Sequence, residues 1–157
     1  MDADGVGIRR ATVADLDHVV RHRQLMFAEM NEHTADELDA IIPVSRSYFE
    51  EALADGGYCG WLAETESGRV IAGGGVVIVR WPGYPRSSRP RRAWILNMYT
   101  EPEYRRRGIA RQLMTTMLDW CRAEGFPAVS LHASSEGRPL YEQLGFRATN
   151  EMRLKLR

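Results

Sequence analysis

With 157 residues, 44% of them hydrophobic and 27% charged, the chain has the apolar content of one globular domain spanning residues 1–157. Its twenty-one basic and twenty-one acidic residues cancel, which argues against nucleic acid or an anionic membrane as a partner and makes any anion site a local feature. No apolar run of about eighteen residues is present to span a bilayer, the start MDADGVGIRR lacks a signal-peptide h-region, and Cys59 and Cys121 stand outside any CxxC pattern, which suits a reducing cytoplasm and disfavours a zinc site.

A short strand is expected near Gly7–Arg10. Thr12-Val13-Ala14-Asp15 reads as a capping box, opening a helix that runs to about Glu29. Thr34-Ala35-Asp36-Glu37 is a second box. Pro43 should interrupt the helix that follows, which resumes over Ser45–Ala54 and stops at Gly56-Gly57. Cys59–Glu64 and Val70–Arg80 form a hairpin around Thr65-Glu66-Ser67-Gly68. Gly73-Gly74-Gly75 weakens the second strand and points to a bulge or a close backbone approach. Trp81–Arg92 is a basic, proline-rich loop. A strand over Ala93–Thr100 leads into a helix over Gly108–Glu124, with Ile109, Leu113, Met117 and Cys121 as its buried stripe. Val129–His132 is a short strand and Arg138–Leu144 a short helix with Pro139 in its first turn. The alternation Met152-Arg153-Leu154-Lys155-Leu156 predicts a final strand. The order is mixed α/β with one late βαβ crossover.

That crossover carries the chemistry. The first N–H groups of a helix have no internal partner, and the dipole adds partial positive charge there. A glycine at Gly108 removes the side chain that would hold a phosphate away. Arg105, Arg106, Arg107 and Arg111 supply charge from the rim. The spacing is not GxxxxGK[ST] and not a GxGxxG after the first strand, so a triphosphate P-loop and a dinucleotide fold are disfavoured. The bland reading of clustered arginines, a solvated surface, stands beside this one.

The segment Arg105-Arg106-Arg107-Gly108-Ile109-Ala110 resembles the Q/R-x-x-G-x-G/A element of the GCN5-related N-acetyltransferase (GNAT) superfamily. Asn97-Met98-Tyr99-Thr100-Glu101-Pro102-Glu103-Tyr104 before it and Leu140-Tyr141-Glu142-Gln143-Leu144-Gly145-Phe146 after it resemble the same superfamily, in order and at the right separation. The resemblance is sharp over Ala93–Phe146. It implies a mostly antiparallel sheet of six to seven strands with one splayed pair, flanked by about four helices. It also implies acetyl-CoA as donor, with coenzyme A as product and no metal.

Carried over by position, Met98, Tyr99 and Thr100 face the acyl group and pantetheine, and backbone N–H groups over Arg106–Arg111, including Ile109 and Ala110, hold the pyrophosphate. A backbone N–H of Met98 or Tyr99 serves the oxyanion. Tyr141 serves as the acid for the leaving thiolate; the alternative is a packing aromatic between Leu140 and Leu144. Many members place an asparagine seven residues before that tyrosine to fix the coenzyme arm, and here the position is Ser134, whose hydroxyl reaches less far.

The acceptor is less legible. In the superfamily the first two helices wall its pocket, which here means Met26–His33, with Phe27, Glu29, Met30 and Glu32 as candidates. Asn97 is a candidate to orient a water that relays a proton. His18 and His22, four apart, read as surface histidines. Trp81 and Tyr84 in the basic loop hint at a lid. The leading expectation is a small-molecule amine acceptor; a protein lysine or N-terminus, and a non-catalytic coenzyme-binding module, are the alternatives. A homodimer is expected by analogy alone.

Overall fold

A computed structural model describes residues 5–83, 85 and 87–156. Tyr84, part of the expected lid, lies outside them. Strand β1 (Val6–Arg10) leads through a short 3-10 turn at Val13–Asp15 into helix α1 (Leu16–Glu29) and then helix α2 (Ala35–Asp55). Strands β2 (Tyr58–Thr65), β3 (Val70–Arg80) and β4 (Arg91–Thr100) form a meander. A 3-10 turn at Pro102–Tyr104, helix α3 (Ile109–Ala123), strand β5 (Val129–Leu131) and helix α4 (Arg138–Gln143) complete the order. The described strands make one sheet in the order β1-β2-β3-β4-β5, antiparallel except for the parallel β4–β5 pair.

Both capping boxes form. The Asp15 carboxylate accepts from Thr12 N–H at 2.8 Å, and Thr34 and Glu37 exchange bonds of 2.8 and 3.2 Å. Pro43 does not interrupt α2. The helix presents Pro43 to water, and Asp39, whose carbonyl loses its N–H partner, is exposed too, so solvent satisfies what the proline removes. The sheet has five described strands, not six or seven, and the expected strand at Met152–Leu156 is absent: 144–156 has no regular secondary structure. The β3–β4 loop is shorter than expected, because Arg91 and Arg92 already belong to β4. No described helix is long and apolar enough to cross a membrane.

Two cores sandwich the sheet. Helix α3 buries Ile109, Leu113, Met114, Met117 and Cys121 against Trp61, Ile71, Val76 and Ile95. On the other face α1 and α2 bring Val19, Val20, Phe49 and Ala52 onto Tyr58. The glycine run serves both. A Cβ on Gly73 would stand 2.9 Å from the His22 ring and from Leu62, one on Gly74 would overlap Met98 Sδ, and one on Gly75 would overlap the Tyr58 ring. Each missing methyl is a socket for a neighbouring side chain, alternating between faces as strand geometry requires.

His22 corrects the surface reading: it is 1% exposed, packs against Tyr99 with ring centroids 5.1 Å apart, and its Nε2 has no hydrogen-bond partner. Burial, assisted by the positive charge of Arg21, holds its pKa down at about 4.

Two stability measurements follow. Gly75→Ala should lower unfolding free energy by about 1–3 kcal/mol in urea titration, because Tyr58 is 2% exposed and has no room to turn away. The pH dependence follows from His22. Its folded pKa lies below the unfolded one, so the native state favours the neutral ring. Stability is complete above the unfolded value near 6.5 and declines as pH falls toward 4, by on the order of 3 kcal/mol from this group. A His22→Leu protein should show a shallower decline over that window; an unchanged slope would remove His22 as its cause.

Candidate functional site

The site begins with an irregularity in β4. Gly73 pairs with Tyr99 and Gly75 with Leu96, so Gly74 stands opposite two residues, Asn97 and Met98. This is a β-bulge, and Asn97 takes the left-handed conformation it needs, with φ of 65°. Asn97 is 2% exposed, and its Nδ2 donates to the Val19 carbonyl of α1 at 3.0 Å. It therefore braces the bulge against α1 and does not face open space, which corrects its expected role in orienting a water. Strand β5 pairs with β4 only over Ala93–Ile95. Strand β5 ends at Leu131, so from Leu96 onward β4 has no described partner on that side.

Past the bulge, side chains alternate. Met98 points to the α3 face and fills the socket at Gly74. Tyr99 points to the α1 face and lies on His22. The Thr100 carbonyl accepts from Arg105 Nε at 2.8 Å. Ladder pairing continues one step further, with Glu101 N–H donating to Ile71 O at 2.9 Å, and ends at Pro102.

The turn into α3 opens its backbone. Arg106 has φ of 63° and Gly108 φ of 80°, two left-handed residues separated by Arg107. Arg105 N–H donates to Pro102 O and Gln112 N–H to Gly108 O. Between them, the six N–H groups of Arg106, Arg107, Gly108, Ile109, Ala110 and Arg111 have no partner among the described residues. A Cβ on Gly108 would meet nothing within 4 Å. Such a concave row of donors at a helix N-terminus is the geometry that takes a pyrophosphate. The arginine side chains contribute less than their number suggests. Arg105 is turned to Thr100 O and to Glu29, Arg107 donates to Glu103 O at 2.9 Å, and Arg111 is bonded to Gln143 of α4. Arg106 is exposed.

Helix α4 follows β5 and packs Leu140 and Tyr141 against the α3-side core. Tyr141 is partly buried against Gly137 and edge-on to Phe146 at 6.0 Å, and its surroundings push its pKa up by burial. Its hydroxyl bonds to no described residue. Ser134 Oγ accepts from Gly137 N–H at 3.1 Å, so this hydroxyl is already engaged in opening α4.

A shallow pocket of about 440 Å³ lies nearby, lined by Leu25, Ala28, Glu29, Asn31, Arg105 and Glu136. Glu29 and Arg105 form an ion pair across it. Of the expected acceptor residues only Glu29 lines it. Phe27 is turned to His33, edge-on at 5.5 Å, and to Arg23. Met30 and Glu32 are exposed beyond the pocket wall. Sequence reasoning missed Glu136. It lies over a hundred residues from Glu29, in the loop before α4, and no motif carries it.

In sequence, residues 22–146 match the acetyltransferase (GNAT) family. The chain belongs to the GNAT family. A GCN5-related N-acetyltransferase from Ralstonia eutropha JMP134 superposes with a TM-score of 0.89 at 36% identity, over 97% of this chain and 99% of that one. A predicted acetyltransferase from Clostridium acetobutylicum, solved with acetyl-CoA, gives 0.86 at 28% identity, over 97% and 96%. Human N-acetyltransferase 8 is 30% identical over 111 residues, 69% of this chain and 45% of that protein. The chain thus spans about half the length of the human relatives it matches.

Arginines of the basic segment have partners away from this turn. Arg89 and Arg91 donate to the Glu124 carbonyl at 2.7 and 2.8 Å, at the C-terminal end of α3. They satisfy an orphan carbonyl and the negative pole of the helix. The fifteen residues of α3 put that end about 22 Å from the open N–H groups. Trp81 is covered by the Arg92 guanidinium at 4.1 Å. Arg89 and Arg91, in the segment where a lid was expected, brace the far end of α3.

Gly108→Glu should abolish coenzyme A binding in calorimetry, through its carboxylate beside the pyrophosphate seat, while the circular dichroism spectrum stays native. Retained binding would place the phosphates elsewhere.

Proposed function

We propose that the protein transfers the acetyl group of acetyl-CoA to a primary amine on a small molecule, by direct attack and without an acyl-enzyme. The observation that carries this reading is the run of six N–H groups over Arg106–Arg111 without a partner among the described residues, standing just past the Leu96–Thr100 stretch of β4 that β5 leaves unpaired. A diphosphate on the first and an extended, amide-bearing arm along the second describe coenzyme A. The acetyl-CoA bound to the Clostridium relative supports the same donor.

The reaction asks for little machinery. The amine arrives as a cation and gives one proton to water; the neutral amine attacks the thioester carbonyl, a tetrahedral oxyanion forms, the attacking nitrogen loses a second proton to water, and the carbon–sulfur bond breaks as the thiolate leaves. Backbone N–H at Met98 or Tyr99, beside the bulge, is the donor for the oxyanion. Tyr141 has a hydroxyl bonded to no described residue and a pKa raised by burial, so it keeps its proton at neutral pH and can give it to the thiolate. The pocket at Glu29 carries two carboxylates against one guanidinium, which favours a cationic amine. Its volume is of small-molecule size.

Thiol release from acetyl-CoA across a panel of amines tests the reading. Release with cationic small amines supports it; coenzyme binding without release for any amine would leave a binding module. Tyr141→Phe should lower kcat by roughly 10²-fold with coenzyme affinity little changed. An unaltered kcat would return Tyr141 to a packing role.

A further inference from the structure

The pocket at Glu29 holds a charge that the transfer step itself does not use. Glu29 and Glu136 face it as carboxylates and Arg105 as a guanidinium. Arg105 is already engaged: it is paired with Glu29, its Nε donates to Thr100 O at 2.8 Å, and its guanidinium lies 5.7 Å from the centre of the Tyr99 ring. Glu136 has no hydrogen bond or ion pair with a described residue. Arg138, two positions on, is paired with Glu142, and Asn31 turns its Nδ2 to the Glu29 carbonyl. One negative charge is left over in the cavity, and one bound cation would balance it. Leu25 and Ala28 add an apolar stretch of wall beside these charges.

That cation is not the nitrogen that reacts. Attack on a thioester needs a lone pair, and a carboxylate beside an amine favours its protonated form. Each unit by which the amine pKa rises removes about nine-tenths of the neutral form at a given pH. A cavity of net negative charge is therefore suited to a nitrogen that stays protonated throughout. The geometry leaves room for two nitrogens. Arg105 reaches from Glu29 to the Thr100 carbonyl, so the carboxylates stand beside the end of β4. Tyr99 and Met98, whose N–H groups are the proposed oxyanion donors, lie one and two residues back along the strand, at about 3.3 Å per residue.

Resting on the proposed acetyl transfer, we infer that the acceptor is an aliphatic diamine. One amine is held as an ammonium between Glu29 and Glu136, the methylenes lie on Leu25 and Ala28, and the other amine is delivered to the thioester. The held nitrogen keeps its proton. The reacting nitrogen gives its two protons to water, the carbon–sulfur bond breaks, and the thiolate takes a proton from Tyr141, which water then replaces. The products are a singly acetylated diamine with one positive charge and free coenzyme A.

The value of kcat/KM for butane-1,4-diamine should exceed that for butylamine, its one-amine analogue, by at least roughly five-fold, with the difference in KM. With a carboxylate in place of the distal ammonium, 4-aminobutanoate should be the poorest of the three. Glu136→Gln, at an exposed position, should bring the two amines within about two-fold of each other. Added salt should narrow the same gap in the unaltered protein. Equal kcat/KM for the diamine and butylamine would leave acetyl transfer standing and overturn this inference. So would a preference for the diamine that neither Glu136→Gln nor salt reduces. Coenzyme A binding without thiol release from any of the three would overturn the transfer itself, and the diamine with it.

Discussion

The bulge at Asn97 is the constraint on which the site depends. Without it, β4 would continue in register with β3, and Met98 and Tyr99 would exchange faces. With it, Met98 enters the socket at Gly74 and Tyr99 lies on His22. The bulge needs a residue that tolerates φ of 65°, and asparagine does so at lower cost than most. It needs a partner strand that can accept an extra residue opposite it, and the glycine run provides that flexibility. It needs an anchor, and the Val19 carbonyl of α1 supplies one. The pairing of β4 with β5 ends at Ile95, two residues before this point, and the helix with the open N–H groups starts a short turn after β4.

How the charges are used is the second lesson of the architecture. Four arginines surround the start of α3, yet three of them are committed to carbonyls or side chains of the protein. What stands open at this turn is backbone. Amide donors at a helix start are fixed by the helix itself and lose no side-chain entropy when they bind, whereas each arginine would have to be ordered. Arg105 is placed to work on the other side of the turn, tying the end of β4 to Glu29 of α1. One residue thus joins the turn before α3, the end of β4 and the pocket at Glu29.

The parts legible in sequence were those with short-range causes. The α3 stripe, both capping boxes and the Gly108 turn follow from residues within about four positions of one another. Sheet class and family followed from the order of such local signals. Three-dimensional partnerships were not legible. His22 and His18 share one spacing, and only the packing of α1 against β3 shows that one is buried and the other exposed. Asn97 looked like a reactive amide on a strand because its bond to Val19 spans 78 residues. Pro43 looked like a break because sequence does not show which way a helix turns its carbonyls. The arginines near Trp81 looked like part of the site, because their partner Glu124 is 35 and 33 positions away.

The unsatisfied groups are also informative in their position. His22 Nε2 and Asn97 Oδ1 are buried without a hydrogen bond, although the Asn97 amide also interacts with the Tyr58 side chain. Each such atom costs about 1–3 kcal/mol relative to a satisfied one. Both lie under the same stretch of β4, one touching Tyr99 and one holding the bulge. Elsewhere that face is filled by Val19, Val20 and Phe49 without polar atoms to place. A fold selected for stability alone would put an apolar residue at His22. Retaining a neutral imidazole there gives Tyr99 a flat, rigid support that fits under the glycine at position 73, and a bulkier or more mobile group would press on β4 just past its bulge. The instability is concentrated where the geometry of β4 has to be exact for the proposed chemistry, which is where sequences that are consistent elsewhere depart from local rules.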